Sequence, residues 1–161
     1  MTDFDIIVIG AGHAGCEAAR AAARMGQTVG LCLLDESSVA HMPCNPAIGG
    51  TAKGHLVREI DALGGLMGEA IDATGIQFKL LNRSRGPAVW SPRAQADKHR
   101  YSNWVRDALK REKGINWIRG RVDSVLVTNS KINGVSLATG ACYYCKALVV
   151  TTGTFLNGVI H

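Results

Sequence analysis

Three groups of residues in this chain have types and spacing suited to chemistry. The first is Gly10-Ala11-Gly12-His13-Ala14-Gly15, a G-x-G-x-x-G run. Its glycines serve separate ends: Gly10 permits a tight turn, Gly12 lets backbone approach a pyrophosphate, and Gly15 lets the next helix lie close to the preceding strand. The N-terminus of that helix then turns N–H groups and a partial positive charge on the phosphates. The second group surrounds Cys44, which stands between Pro43 and Pro46. Two prolines and three glycines within His41–Gly54 predict neither a regular helix nor a central strand. Gly49-Gly50 can bring backbone close to a cofactor ring or a phosphate. Lys53 and His55 follow closely, and their positive field would lower the pKa of Cys44 and make it a nucleophile; a buried inert thiol is the alternative. The third group lies in Asn82–Arg100, where Arg83, Arg85, Arg93, Lys98, His99 and Arg100 are set against Asp97 alone. Guanidinium forks suit phosphates, and the flat faces of Trp90 and Tyr101 suit unstacked bases. This predicts a nucleic-acid or anionic-substrate surface, with a merely solvated basic loop as the alternative.

The elements that must position these residues follow from the pattern. Asp5–Ile9 is short, β-branched and apolar on both faces, as a buried parallel strand requires. Cys16–Arg24 is Ala-rich and helix-forming. Thr28–Leu34 reads as a second parallel strand, and Asp35 stands at its end, 25 residues after Gly10. A ribose-binding acid is expected roughly 20 residues on, so Asp35 is the candidate for an adenosine ribose, unless it merely opens the next loop. Asp35-Glu36 would repel a 2′-phosphate. His55–Leu63 is read as a helix with Leu56, Ile60 and Leu63 on its apolar face, ended by Gly64-Gly65. Ile76–Leu81 is a short strand, and Tyr101–Glu112 a helix with Trp104, Val105, Ala108 and Leu109 on one side. Ile115–Ile118, Arg121–Thr128, Ile132–Ala138 and Ala141–Val150 are strands, the last three at meander spacing. Asn133-Gly134 and Thr139-Gly140 supply turn residues.

The chain has 161 residues, enough for one domain with a core. An apolar content of 47% with 19% charged residues is globular. No run approaches the ~18–20 apolar residues of a membrane span, and Met1-Thr2-Asp3 leads directly into the first strand, which predicts a cytoplasmic protein with no membrane partner. Five scattered cysteines suit reduced thiols. Cys142 and Cys145 have C-x-x-C spacing, but on a strand positions i and i+3 face opposite ways. A charge of +5 and a pI near 9.1 permit a polyanionic partner.

Several longer motifs together resemble one family. They are GAGHAGCEAA at Gly10–Ala19, CNPAIGG at Cys44–Gly50, KGHLVREIDALGG at Lys53–Gly65, GPAVWSPRAQADK at Gly86–Lys98 and TTGTFLNG at Thr151–Gly158. The chain resembles the N-terminal part of the flavoprotein subunit of the tRNA uridine 5-carboxymethylaminomethyl modification enzymes, the glucose-inhibited division protein A family. CNPAIGG distinguishes it from the related folate-dependent tRNA methyltransferases. The resemblance implies FAD bound through Gly10, Ala11, Gly12, His13, Ala14 and Gly15, with Asp35 near the ribose. It also places the backbone at Val122 by the adenine end and the Thr152-Gly153 turn beside the dinucleotide. It implies an aminomethyl or carboxymethylaminomethyl group added at C5 of a wobble uridine, with a GTPase partner, methylenetetrahydrofolate as carbon donor, NADH, and a homodimer when full length. Cys44 matches a cysteine important for catalysis in that family, although Pro43 stands where members commonly have Ser. The family's chains run several times longer. Residues 1–161 would therefore be the N-terminal portion of the FAD-binding domain, without the NADH-binding insertion and the C-terminal helical domain.

The expected fold is thus α/β: a Rossmann-like three-layer FAD-binding domain of parallel sheet, helices and β-meander, incomplete at its C-terminus. Two other functions remain open at this point. A general FAD/NADH oxidoreductase on a small substrate predicts no gain from tRNA, and a non-catalytic nucleotide-binding fragment predicts binding that survives loss of Cys44.

Overall fold

The computed structural model describes residues 3–43, 45–154 and 156. In chain order the elements are β1 (Phe4–Ile9), α1 (His13–Arg24), β2 (Val29–Leu33), β3 (Ala47–Gly49), α2 (Lys53–Ala62), α3 (Leu66–Thr74), β4 (Gly75–Leu81), β5 (Ser91–Ala96), α4 (Lys98–Arg111), β6 (Ile115–Arg119), β7 (Val122–Thr128), β8 (Lys131–Leu137) and β9 (Cys142–Val150). Six strands form one sheet in the order β6-β2-β1-β9-β8-β7. The first four run parallel, and β8 and β7 continue antiparallel. β9 serves both parts: Cys142–Tyr144 pair with β8, while Ala147–Val150 pair with β1.

Strand side chains alternate between faces, so each parallel strand supplies two cores. Val8, Val29, Leu31 and Leu33 pack with Ala19 and Ala22 of α1 and with Tyr101, Val105 and Leu109 of α4. Ile7, Cys32 and Ile118 pack with Val135 and Leu137 of β8 and Cys145 of β9. Helices, parallel sheet and meander are the three expected layers. Cys142 is exposed and Cys145 buried, as opposite faces of a strand require.

A second, antiparallel sheet has the order β3-β5-β4 and lies beside α2 and α3. Ser91–Ala96 of the basic stretch, for which a solvated loop is the alternative reading, is therefore the central strand β5, in spite of Pro92. The strand tolerates proline because the Pro92 carbonyl, which accepts from the Gly50 N–H at 2.8 Å, faces the side where β3 has already ended. The missing N–H falls on that same side, beyond the last β3 pair, Gly49 with Arg93.

Three sequence expectations change, and one helix, α3, has no counterpart in the sequence reading. Leu56 and Leu63 are exposed, and α2 instead buries Gly54 and Val57. A Cβ on Gly54 would stand 3.2 Å from the Pro92 carbonyl oxygen, so α2 meets β5 along its small residues and not its large ones. α3 has no start signal of its own sequence, because Gly65 offers no side chain. Its cap comes from α1: both Glu17 carboxylate oxygens accept from Leu66 N–H at 2.9 Å, and Met67 N–H donates at 2.8 Å. Asn133-Gly134 is not a turn. It lies inside β8, where a Gly134 Cβ would stand 2.1 Å from the Tyr143 carbonyl oxygen. The β7–β8 turn is Asn129-Ser130, both left-handed at φ +50° and +59°. Finally, Tyr101 offers no flat face to a ligand, because it is wholly buried in the helix layer.

Candidate functional site

The carboxyl ends of β1, β2 and β9 meet where open α/β sheets bind ligands. Gly10 follows β1 at φ +100°, and its N–H donates to the Cys32 carbonyl at 2.9 Å. A side chain here is impossible twice over: a Gly10 Cβ would lie 2.6 Å from the Thr151 carbonyl oxygen, and a Gly15 Cβ 1.8 Å from that of Gly10. Gly12, by contrast, has nothing among the described residues within 4 Å of its Cβ position and is the N-cap of α1 with no side-chain cap. No side chain of Gly12 closes the N-terminus of α1, where the first-turn N–H groups have no intrahelical partner. A pyrophosphate fits that cradle, since the two crowded glycines hold it in shape and the open one admits the anion.

The other predicted cofactor residues gather around it. Asp35 is the N-cap of a 3-10 turn, Glu36–Ser38, accepting from Ser37 N–H at 3.0 Å and Ser37 Oγ at 2.6 Å. Those bonds, with some help from Arg119, hold its carboxyl below the usual range, so it is a firm acceptor. Glu36 is bound instead to Lys110 and Arg119, which leaves Asp35 the acid facing outward. Gly120 N–H donates to the Leu33 carbonyl at 2.9 Å, and this brings the start of β7, Val122, beside the end of β2. The residue of the C-terminal turn that touches the loop is Thr151, one before the predicted Thr152-Gly153. Its Oγ1 donates to Ile9 O at 2.8 Å and lies 3.2 Å from Gly10 O. Thr152 is half-buried, and Gly153 has φ +60°. Thr151 was discoverable only from β9 being the parallel neighbour of β1.

His13 opens α1 and turns inward. Burial, with Lys53 nearby, holds its imidazole at about 4, so it is neutral at pH 7. Cys44 lies outside the described residues. Its neighbours show that Lys53 Nζ donates to Ala47 O at 3.0 Å, within the same loop, while His55 is exposed. Burial lowers the Lys53 pKa.

The basic residues are divided among the β4–β5 connection, β5 and the start of α4. Arg83 and Arg85 sit in the exposed β4–β5 connection, which Asn82 ties to Thr51 and to Val89, and Trp90 to the Arg85 carbonyl. Arg93 is exposed on β5, and Lys98 begins α4 beyond the strand's other end. None of the four forms an ion pair among the described residues. Lys79 of β4 pairs directly with Arg93, a like-charge neighbour that linear spacing concealed. Both border an apolar cleft of about 430 Å³ between this sheet and helices α2 and α3, which Val57, Ile71 and Phe78 also line.

The sequence model of the family described as glucose inhibited division protein A matches residues 5–161. The chain belongs to that family. Among its relatives are the tRNA uridine 5-carboxymethylaminomethyl modification enzymes MnmG of Thermodesulfovibrio yellowstonii, 54% identical over 99% of this chain and 26% of theirs, and of Aquifex aeolicus, 54% identical over 100% of this chain and 26% of theirs. The crystal structure of Aquifex aeolicus GidA superposes with a TM-score of 0.92, covering 96% of this chain and 26% of that one. A Thermus thermophilus GidA-related protein, at 18% identity and a TM-score of 0.61, shares the fold alone. The chain thus spans about a quarter of the length of the curated family members it matches. No helix among the described residues is long and apolar enough to cross a membrane.

Proposed function

We propose that this chain is the N-terminal portion of the FAD-binding domain of a tRNA-modifying enzyme. The complete protein would install an aminomethyl or carboxymethylaminomethyl group at C5 of a wobble uridine in the cytoplasm. It would act as a homodimer with a GTPase partner, drawing on NADH and methylenetetrahydrofolate, and would carry its NADH-binding insertion and helical domain outside this span.

One observation supports the dinucleotide most strongly: Gly12 is open and its helix uncapped, while Gly10 and Gly15 on either side have no room for a Cβ. Gly10–Gly15 would hold the pyrophosphate, Asp35 the ribose, the Val122 backbone the adenine end, and Thr152-Gly153 the wall beside them. Bound there, FAD would supply the electron transfer. Arg83, Arg85 and Arg93, with Lys98 farther along, would bind tRNA phosphates. An opposed Lys79–Arg93 pair costs stability in a sheet, which makes sense where a polyanion offsets it.

Cys44 has a specific use in this chemistry. Uridine C5 is a poor nucleophile until a thiolate adds at C6 and turns the ring into an enolate. After C5 has formed its new bond, loss of the C5 proton to a base restores the C5–C6 double bond and expels the thiolate. Cys44 is either that nucleophile or the group that handles the C5 proton. A Cys44→Ser protein that folds, keeps its flavin and modifies tRNA at the normal rate would remove both roles. The site itself is tested by the visible spectrum of the chain after addition of FAD and desalting. A retained, perturbed flavin spectrum is expected, and its survival in Gly12→Leu would overturn the assignment of the pyrophosphate to this loop.

A further inference from the structure

Two buried polar atoms beside the glycine loop have no hydrogen-bond partner among the described residues: His13 Nε2 and Tyr101 Oη. Tyr101 is wholly buried on α4, and His13 opens α1. Their rings lie 5.7 Å apart, tilted by 36°. Cys16, Leu66, Met67 and Val105 close the gap around them, which has no space for a water molecule. Solvent therefore cannot satisfy either atom, and native interiors rarely leave such atoms unpaired.

The surrounding groups are already engaged or are of the wrong kind. On α1, the Glu17 carboxylate is held on the start of α3 by the Leu66 and Met67 N–H groups. Cys16, whose thiol burial pushes up to about 12, donates to Ala11 O. On α2, Lys53 donates to Ala47 O. The Tyr101 hydroxyl, which burial keeps protonated, is a donor, and a neutral imidazole has one acceptor nitrogen. The two orphans are complementary to each other.

We propose that Tyr101 Oη donates a hydrogen bond to His13 Nε2, reached by rotation of the His13 ring about its broad second torsion, and that Tyr101 is thereby a positioning residue for the dinucleotide loop. Gly12 is the N-cap of α1 and His13 its first residue. Pinning the ring therefore pins the turn that offers its N–H groups to a phosphate. α4, which supplies Tyr101, is itself anchored by Asp97 accepting from His99 and Arg100 N–H at 3.0 Å. The bond stands on its own geometry, and only its consequence for FAD rests on the function proposed above.

Nitrogen NMR of the full chain, labelled at histidine and without FAD, tests the bond, with His13→Gln identifying the resonance. Nε2 is expected as an unprotonated, hydrogen-bonded acceptor. Tyr101→Phe should move it to the position of a free acceptor nitrogen and weaken FAD binding about tenfold, while unfolding stays cooperative. An unmoved Nε2 resonance overturns the bond. A moved resonance with unchanged FAD affinity overturns the positioning role. Failure of the unsubstituted chain to bind FAD would count against the dinucleotide reading, with the NMR result still deciding the bond. If Tyr101→Phe does not fold, 3-fluorotyrosine at position 101 replaces it. Its more acidic hydroxyl should shift Nε2 further from the free position, and no shift overturns the proposal.

Discussion

Between Ile9 and Gly15 the chain is shaped by backbone against backbone, whereas between Asn82 and Lys98 the useful groups are side chains on the exposed positions of a half-buried strand and on its loop. The glycine loop is built by exclusion: Gly10 and Gly15 have no room for a Cβ, and the single open position, Gly12, is where an anion can enter. The basic segment excludes nothing. It is held by Asn82, Trp90 and the pairing of β5 with β3 and β4, and its arginines have no acidic partners among the described residues. A loop made by exclusion should fail as a fold when altered. A surface made by projection should fail only as a surface.

The sharpest break of that contrast lies within the glycine loop itself. Gly15→Ala drives a methyl into the Gly10 carbonyl and should destabilise the chain by about 3 kcal/mol or more in denaturant unfolding. Gly12→Ala should cost less than about 1 kcal/mol yet weaken FAD at least tenfold by titration. Equal unfolding effects at the two positions would refute the division of labour.

Next comes the support behind the loop. On the inner side of α1, buried Arg20 donates to Glu69 of α3 and to Glu112 just after α4, at 3.0 Å each. Arg20→Met removes the partner of Glu69 and leaves Glu112 paired with Arg24 alone; loss of one partner from a buried pair costs about 3–5 kcal/mol. Glu69 is part-exposed, so roughly 2 kcal/mol is expected here, read as a lowered unfolding midpoint.

Acid probes the same helix more gently. His13 titrates near 4 when folded against an ordinary 6.5, so below pH 6.5 the unfolded chain takes up the proton first. Stability contributed by neutral His13 is complete above 6.5 and should be lost as pH falls from 6.5 towards 4. Because His13 is only partly buried, the loss should be about 2 kcal/mol or less. A His13→Gln chain should show a flatter stability profile over that window.

The smallest stability effect belongs to the basic segment, and its sign is opposite. Arg93→Gln relieves the like-charge contact with Lys79 and should stabilise the sheet by about 0.3 kcal/mol. It should also weaken tRNA binding by the complete protein and reduce the salt slope by roughly one. A destabilised fold with unchanged salt slope would make Arg93 a structural residue.

How far each region could be read from sequence follows from the same contrast. G-x-G-x-x-G is a local statement about backbone, and all three glycines stand as their spacing implies. Cys142 and Cys145 separate to opposite faces for an equally local reason. Lys79, Thr151 and Glu17 were invisible, because each acts on a residue that only strand or helix neighbours bring close: Lys79 on Arg93, Thr151 on Gly10, Glu17 on the start of α3. Leu56 and Leu63 misled for a related reason. Hydrophobic spacing marks a helix face by the size of its side chains, but α2 approaches β5 where side chains are smallest.

The amino-acid sequence by itself therefore determined the parallel strands, the glycine turn after β1, the meander and the family, since these depend on alternation, glycine geometry and long contiguous motifs. Tertiary structure alone decided that β5 runs through the centre of a second sheet, that Tyr101 is buried behind the loop and not displayed beside the arginines, and that Lys98 stands apart from Arg83 and Arg85. Each of these depends on which distant backbone supplies the missing hydrogen bond or fills the adjacent space, and no local pattern encodes that choice.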